Sequence, residues 1–271
     1  MSPRERELSG RVAIVTGAGA GIGAGIAVAL AEAGAAVAVA DVDVATAAST
    51  ARGIEGKGGR ALALRVDVSD AGQVRNMVER TAEALGSVDI LVNNAGIATT
   101  QLVEDLDEDA WRRVLEVNLT GPFLCSKAVL PLMREKGWGR IVNIASVAAK
   151  RISVTGSASY TASKAGLLGF TRHLAYEVAG YGINVNAICP GPTLTAMYER
   201  NTDEQTRREG MAMVPKGRWL TPDDHGRIAV FLCSEASEAV YGQAIDVDGG
   251  TLLGWMPWDV YMAKRRRRTS H

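Results

Sequence analysis

From Arg11 onward, short, largely apolar runs alternate with longer segments in which apolar residues recur at every third or fourth position. A short apolar run marks a strand buried on both faces of a parallel sheet, and the 3.6-residue period marks a helix with one buried face. Strands are expected at residues 11–16, 36–40, 60–66, 89–92, 140–144, 183–188 and 242–247. Helices are expected at residues 22–34, 44–55, 71–85, 123–136 and 160–179, with one running from the cap Asp107 through Trp111 and a last one starting at Thr221-Pro222-Asp223. Residues 118–122 interrupt or bend the helical pattern. Residues 195–218 are polar, carry methionines and show weak periodicity. Regular alternation of strand and helix predicts an α/β fold: one doubly wound parallel sheet between two helical layers, with ligands beyond the carboxyl ends of the strands. Residues 1–253 are expected to form this single domain, and residues 254–271 a C-terminal extension with a basic end.

The candidate chemistry lies at those strand ends. The first strand runs into Gly17-Ala18-Gly19-Ala20-Gly21-Ile22-Gly23 and then an alanine-rich helix. Glycines in that context let backbone N–H groups approach a pyrophosphate, while the helix N-terminus offers it a partial positive charge; the pattern is Rossmann-like. The second strand ends in Asp41, twenty residues after Gly21. A dinucleotide fold places there the carboxylate that bonds the adenosine ribose hydroxyls. That carboxylate would repel a 2′-phosphate, and Ala20 supplies no cation within the turn, so NAD is expected over NADP. Asp67 and Asn94 also close strands, where single Asp and Asn residues are more often turn formers.

Tyr160-Thr161-Ala162-Ser163-Lys164 places a phenol and an ammonium on one helical face, a turn apart. A nearby fixed positive charge would favour the phenolate and bring its pKa toward the range useful for acid–base chemistry. Taken with Thr16-Gly17-x-x-x-Gly21-Ile22-Gly23, Asn93-Asn94-Ala95-Gly96, Asn118, Ser146 and Pro190-Gly191, the segment resembles the short-chain dehydrogenase/reductase family over roughly residues 8–253. The resemblance implies an NAD(H)-dependent oxidoreductase interconverting a secondary alcohol and a ketone. It implies that Tyr160 is the acid–base and that Lys164 lowers its pKa and holds the nicotinamide ribose. Ser146 would hydrogen-bond the substrate oxygen, and Asn118 would hold a water linking Lys164 to solvent. Gly17, Ala20, Gly21, Ile22, Gly23, Asp41, Asp67, Val68, Asn94, Ala95, Gly96, Pro190, Gly191, Thr193 and Thr195 would line the dinucleotide together with Tyr160 and Lys164. A homotetramer is implied as well. Ser146 and Tyr160 are fourteen apart, one more than is usual in the family, so residues 149–159 are expected to bulge over the substrate.

Composition narrows the alternatives. The chain has 271 residues and no net charge, but Lys264–Arg268 take five of the 30 basic residues, leaving 25 against 30 acidic ones. The mildly acidic body argues against a nucleic-acid surface. No apolar run reaches membrane-spanning length and no signal peptide is evident, so a soluble cytoplasmic protein is expected. Cys125, Cys189 and Cys233 are too few and too scattered for a disulfide framework or zinc site, and His173 and His225 have no ligand-spaced partner, so no metal is expected. A 3-oxoacyl carrier-protein reductase is the runner-up, disfavoured by Asp41 because such reductases usually prefer NADPH. A dinucleotide-binding protein without chemistry is disfavoured by the joint presence of Ser146, Tyr160 and Lys164. Ala98, Val147, Val154, Met197, Met211 and Met213 suggest a hydrophobic or alicyclic small-molecule substrate. The apolar stretch 254–262 is expected to be ordered against a neighbouring subunit, with residues 265–271 mobile and solvated.

Overall fold

The computed structural model describes residues 7–153, 155–200 and 202–269. Its strands are β1 (Val12–Thr16), β2 (Ala36–Asp41), β3 (Ala61–Arg65), β4 (Ile90–Asn93), β5 (Gly139–Ile144), β6 (Ile183–Pro190) and β7 (Ala244–Val247). They form one sheet in the order β3-β2-β1-β4-β5-β6-β7, with every pairing parallel. The helices are α1 (Gly21–Glu32), α2 (Val44–Glu55), α3 (Ala71–Leu85), α4 (Glu108–Leu115), α5 (Gly121–Lys136), α6 (Ala158–Val178), α7 (Ala196–Arg200), α8 (Glu204–Ala212), α9 (Pro222–Cys233) and α10 (Trp258–Thr269).

The period of two along each strand divides the core into two layers. From β1, Ala13 and Val15 join Ile26 and Leu30 of α1, Ala47 and Ile54 of α2 and Leu232 of α9. Ile14 between them joins Met77 of α3, Val129 and Met133 of α5 and Leu174 of α6 on the other face. Each fully buried Leu, Ile or Met contributes roughly 1.5–3 kcal/mol. The chain winds one way from β1 to β3 and the other way from β4 to β7, so a crevice opens at the carboxyl ends of β1 and β4.

The expected strands, and the expected helices other than α4, lie within about two residues of those observed. Four features differ from expectation. The interruption expected at residues 118–122 takes the form of a π-helical turn placed two residues earlier, Glu116–Thr120, which leads from α4 directly into α5. The weakly periodic stretch holds two short helices, α7 and α8, the second capped by Asp203 on Thr206 N. Residues 147–149 form a 3₁₀ turn before α6 starts at Ala158. The basic tail is helical: α10 carries Lys264–Arg267 on exposed positions, with Trp255, Trp258 and Tyr261 exposed before and along it. Val154, the side chain of Met197 and residues 270–271 lie outside the described residues.

Candidate active site

Thr16 closes β1 and fixes the loop after β4. Its hydroxyl accepts the N–H groups of Asn94 and Ala95, each at 3.1 Å, while Asn94 Nδ2 donates to the carbonyls of Thr16 and Gly17 at 2.9 Å. The two crevice walls are thereby tied by four hydrogen bonds. They approach so closely that a Cβ on Gly23 would lie 2.3 Å from both Gly17 O and Asn94 Nδ2. Gly17 and Gly21 adopt positive φ angles of 61° and 58°. The N-cap of α1, Ala20, makes no side-chain cap and the first turn carries no acid, so the helix N-terminus presents bare N–H groups to the crevice.

At the end of β2, Asp41 Oδ2 accepts Gly19 N–H at 2.9 Å and Oδ1 accepts Asp43 N–H at 3.1 Å. A Cβ on Gly19 would sit 2.2 Å from Thr46 Oγ1 and 2.9 Å from Asp41 Oδ2, so glycine is required for the turn to reach that carboxylate. Asp67, at the end of β3, accepts from Ser69 N–H and Oγ–H at 3.0 and 2.7 Å and from Arg113 Nη2 at 2.7 Å. Burial alone would raise the Asp67 carboxyl; the bonds from Ser69 and the Arg113 guanidinium outweigh it and hold the pKa below the usual range. Val68 is buried against Gly121 at the start of α5.

The second group of residues gathers beyond β4 and β5. Lys164 is buried and donates from Nζ to the carbonyl of Ile144, the last residue of β5, at 2.7 Å. Its Nζ lies 5.8 Å from the Tyr160 ring centroid. Desolvation lowers its pKa to about 8. Burial pushes the Tyr160 phenol up, and a hydrogen bond with Ser146 opposes that rise. The expected downward pull of the lysine charge on the phenol is therefore not what dominates here. Ser146 Oγ accepts the N–H of Ala148 at 3.0 Å, which leaves its own proton for donation. Asn118 lies in the π-helical turn, a distortion frequent at functional sites. Its amide pairs with both the N–H and the C=O of Ile97, at 2.8 and 2.9 Å, and donates to Ser163 Oγ at 3.1 Å. A Cβ on Gly96 would lie 3.3 Å from Asn118 Oδ1 and 3.4 Å from Lys164 Nζ, so Gly96 separates the two polar heads.

The third wall is the segment after β6. Gly191 N donates to Val247 O at 2.9 Å, Leu220 N donates to Pro192 O at 3.1 Å, and Thr193 is buried. Thr195 faces the glycine turn, its Cγ2 3.5 Å from where a Cβ of Gly21 would be. Around the opening, Ala98, Val147 and Met213 are half-buried and Met211 is exposed. Ser157 N and Oγ bind Thr99 O and Oγ1, each at 2.7 Å, which ties residues 150–157 to the loop after β4. The three cysteines are buried and free, their thiols pushed up to about 12 (Cys125 and Cys233) and about 11 (Cys189) by desolvation. No group of three or more His, Cys, Asp or Glu side chains gathers among the described residues at a metal site, and no helix among them is long and apolar enough to cross a membrane.

Sequence reasoning omitted Thr16, Gly19 and Arg113 from the site. Thr16 and Gly19 lie inside the quoted glycine motif and were recoverable from it. Arg113 comes from α4, a helix whose side chains meet the strand ends only in three dimensions.

A glycine crevice tied to a helix N-terminus, facing a half-buried phenol with a buried hydroxyl and ammonium, defines a dinucleotide-binding oxidoreductase architecture. A family model described as enoyl-(acyl carrier protein) reductase matches residues 17–251. D-β-hydroxybutyrate dehydrogenase of Cupriavidus necator is 39% identical over 254 residues, which cover 90% of this chain and 98% of that one. The 3-oxoacyl-[acyl-carrier-protein] reductase FabG of Thermotoga maritima is 36% identical over 246 residues, covering 91% and 99%. Among solved structures, a gluconate 5-dehydrogenase from Burkholderia cenocepacia J2315 in complex with NADP and tartrate superposes with a TM-score of 0.87 at 36% identity, covering 93% of this chain and 98% of that one. The chain belongs to the short-chain dehydrogenase/reductase family. It is accordingly an oxidoreductase that interconverts secondary alcohols and ketones with a nicotinamide dinucleotide.

Proposed function

We propose that the protein is an NAD(H)-preferring dehydrogenase of a small secondary alcohol, with Tyr160 as proton carrier. The residues present suit the dinucleotide: side chains on Gly17, Gly19 and Gly23 would clash within the turn, Gly21 faces Thr195 with a positive φ, and Asp41 stands at the far end of the crevice. Asp41 is the observation that carries the NAD preference. Its carboxylate, already anchored on Gly19 N–H, offers ribose hydroxyls an acceptor and a 2′-phosphate a repelling charge. This differs from the gluconate 5-dehydrogenase described above, whose complex holds NADP. Gly17, Ala20, Gly21, Ile22, Gly23, Asp67, Val68, Asn94, Ala95, Gly96, Pro190, Gly191, Thr193 and Thr195 complete the proposed dinucleotide wall.

The bound dinucleotide supplies the hydride acceptor or donor and, when oxidised, a positive charge. Everything else falls to side chains. Ser146 donates its free proton to the substrate oxygen and holds it against Tyr160. Tyr160 removes the alcohol proton, or returns one to a carbonyl. Lys164 spends one N–H on Ile144 O and has two left for the nicotinamide ribose. Asn118 keeps the Lys164 side of the crevice fixed through Ile97 and Ser163. The half-buried apolar positions Ala98, Val147 and Met213 favour a hydrophobic or alicyclic alcohol over a highly polar one. We propose further that the working unit is a homotetramer in which the exposed apolar segment before and along α10 lies against a neighbouring subunit.

Tyr160→Phe tests the assignment. Turnover with a secondary alcohol should fall by a factor of roughly 10² to 10⁴, while dinucleotide affinity, read from quenching of protein fluorescence, stays within about threefold. Retention of most of the activity would overturn the proton-carrier role.

A further inference from the structure

His225 lies in the second turn of α9 with no exposed surface, beside Gly226. Its Nε2 is 2.8 Å from Thr193 Oγ1, and Thr193 Oγ1 is also 2.9 Å from Gly191 O. A hydroxyl has one proton, and only the carbonyl of Gly191 must receive it. The Thr193 hydroxyl therefore donates to Gly191 O and accepts from His225, which fixes the imidazole as the Nε2–H tautomer. The other ring nitrogen, Nδ1, is left as a lone pair with no hydrogen-bond partner among the described residues. An unpartnered buried acceptor is costly, and an aliphatic residue would fill the same space without it. The Nε2–H bond to Thr193 is what the imidazole adds in exchange.

The position of α9 gives that bond a purpose. Its first residue, Pro222, lies 2.3 Å from where a Cβ of Gly25 on α1 would be, and a Cβ on Gly226 would lie 2.8 Å from Ala29 Cβ and 3.2 Å from Gly25 O. Helix α9 is thus seated without a side-chain cushion on α1, whose N-terminus is the glycine turn. From the same turn of α9, His225 holds Thr193 and, through it, Gly191, in the wall that brings Thr195 to 3.5 Å from the Cβ direction of Gly21. One rigid helix touches both sides of the crevice.

We propose that His225 is a positioning residue for dinucleotide binding: its Nε2–H, relayed through the Thr193 hydroxyl, sets the separation between the glycine turn and residues 190–195. This rests on the reading above that the dinucleotide lies between those walls. His225→Phe keeps the ring and deletes the donor; His225→Gln places an amide N–H near the Nε2 position; Thr193→Val deletes the relay with little change of shape. Binding of NADH is measured by energy transfer from protein to reduced nicotinamide fluorescence, without turnover. His225→Phe and Thr193→Val are each expected to weaken NADH binding by roughly tenfold, the double variant by no more than either alone, and His225→Gln to restore most of the affinity. In the unmodified protein, ¹⁵N–¹H correlation spectra of the imidazole should show Nδ1 unprotonated and Nε2 protonated.

Unchanged NADH affinity in Thr193→Val, or losses that add in the double variant, would overturn the proposal even if His225→Phe were too unstable to study. A lowered melting temperature with unchanged affinity in His225→Phe would reduce the histidine to a core residue and likewise overturn it. If the unmodified protein bound neither NADH nor NADPH, the underlying functional reading would fail instead, which separates the two failures.

Discussion

Replacing Asp41 by Ser should invert or erase the cofactor preference, and the structure sets the size of the change. The carboxylate makes two local bonds, to Gly19 N–H at 2.9 Å and Asp43 N–H at 3.1 Å. Both donors border solvent, so water takes over and the stability cost is about 1 kcal/mol. Cofactor discrimination changes more. A phosphate monoester carries nearly two negative charges at neutral pH. At ~5 Å and an effective dielectric of ~40, one carboxylate repels it by about 3 kcal/mol, roughly a hundredfold in affinity. Loss of a charged acceptor for the ribose hydroxyls weakens NAD by about 1.5–3 kcal/mol. The ratio of kcat/KM for NAD over NADP should therefore fall by roughly 10³- to 10⁴-fold, mostly through KM. Initial rates with each cofactor, followed by absorbance of the reduced form, measure it. Raising the ionic strength should narrow the preference of the unmodified enzyme, because Asp41 is only half-buried. Equal efficiency with both cofactors before substitution, or an unchanged ratio after it, would refute the reasoning.

Two further outcomes follow from the same geometry. Desolvation lowers His225 from 6.5 to about 4 against the opposing charge of Asp224, so between those values the unfolded chain binds a proton that the folded chain does not. Its contribution to stability is full above about pH 6.5 and is lost as the pH falls toward 4, by roughly 3 kcal/mol in all; urea titrations should show a steeper acid loss for the unmodified protein than for His225→Phe, and parallel curves would contradict this. Deleting residues 254–271 removes Trp255, Trp258 and Tyr261, all exposed on a single chain, and should weaken the proposed tetramer or raise KM for the alcohol more than for NAD; an unchanged solution mass with unchanged kinetics would show that the segment does neither.

The fold was legible because strands such as β1, β2 and β4 are almost wholly apolar and several helices begin at a readable cap, such as Asp43, Asp70, Asp107 and Thr221. The dinucleotide wall was legible for the same local reason: glycine turn, strand-end Asp41 and the Asn93–Gly96 loop are contiguous signals. What escaped was non-local or depended on subtle backbone geometry. A π-helical turn needs one extra residue between hydrogen-bonded partners, and Glu116–Thr120 has no composition that announces it. His225 carries no local signal because its hydrogen-bond partner, Thr193, is 32 residues away. Tail helix α10 was hidden by its own arginines, since a charge run that reads as solvated chain is also made of good helix formers.

The pairing of Tyr160 with Lys164 is where spacing led furthest from the structure, and the difference has a measurable consequence. Four residues of separation put both groups on one face of α6, but Nζ turns to Ile144 O and lies 5.8 Å from the ring centroid. Burial then acts on both groups alike in kind and oppositely in direction: it favours the neutral phenol, raising Tyr160, and the neutral amine, lowering Lys164 to about 8. A lysine that loses its charge near pH 8 is a weak electrostatic lever at the pH where the phenol must ionise, and Ser146 alone opposes the rise. Ionisation of Tyr160 should therefore ease only when oxidised dinucleotide brings its positive charge beside the phenol. Alcohol oxidation needs the phenolate, so kcat/KM for the alcohol at saturating NAD should rise with pH, while ketone reduction, which needs the phenol, should fall. The midpoint of the rise should lie below the pH at which Tyr160 ionises in the free protein, read as the ultraviolet difference between unmodified protein and Tyr160→Phe. If Tyr160 titrated at the same pH with and without NAD, the burial argument would be wrong and the lysine alone would suffice.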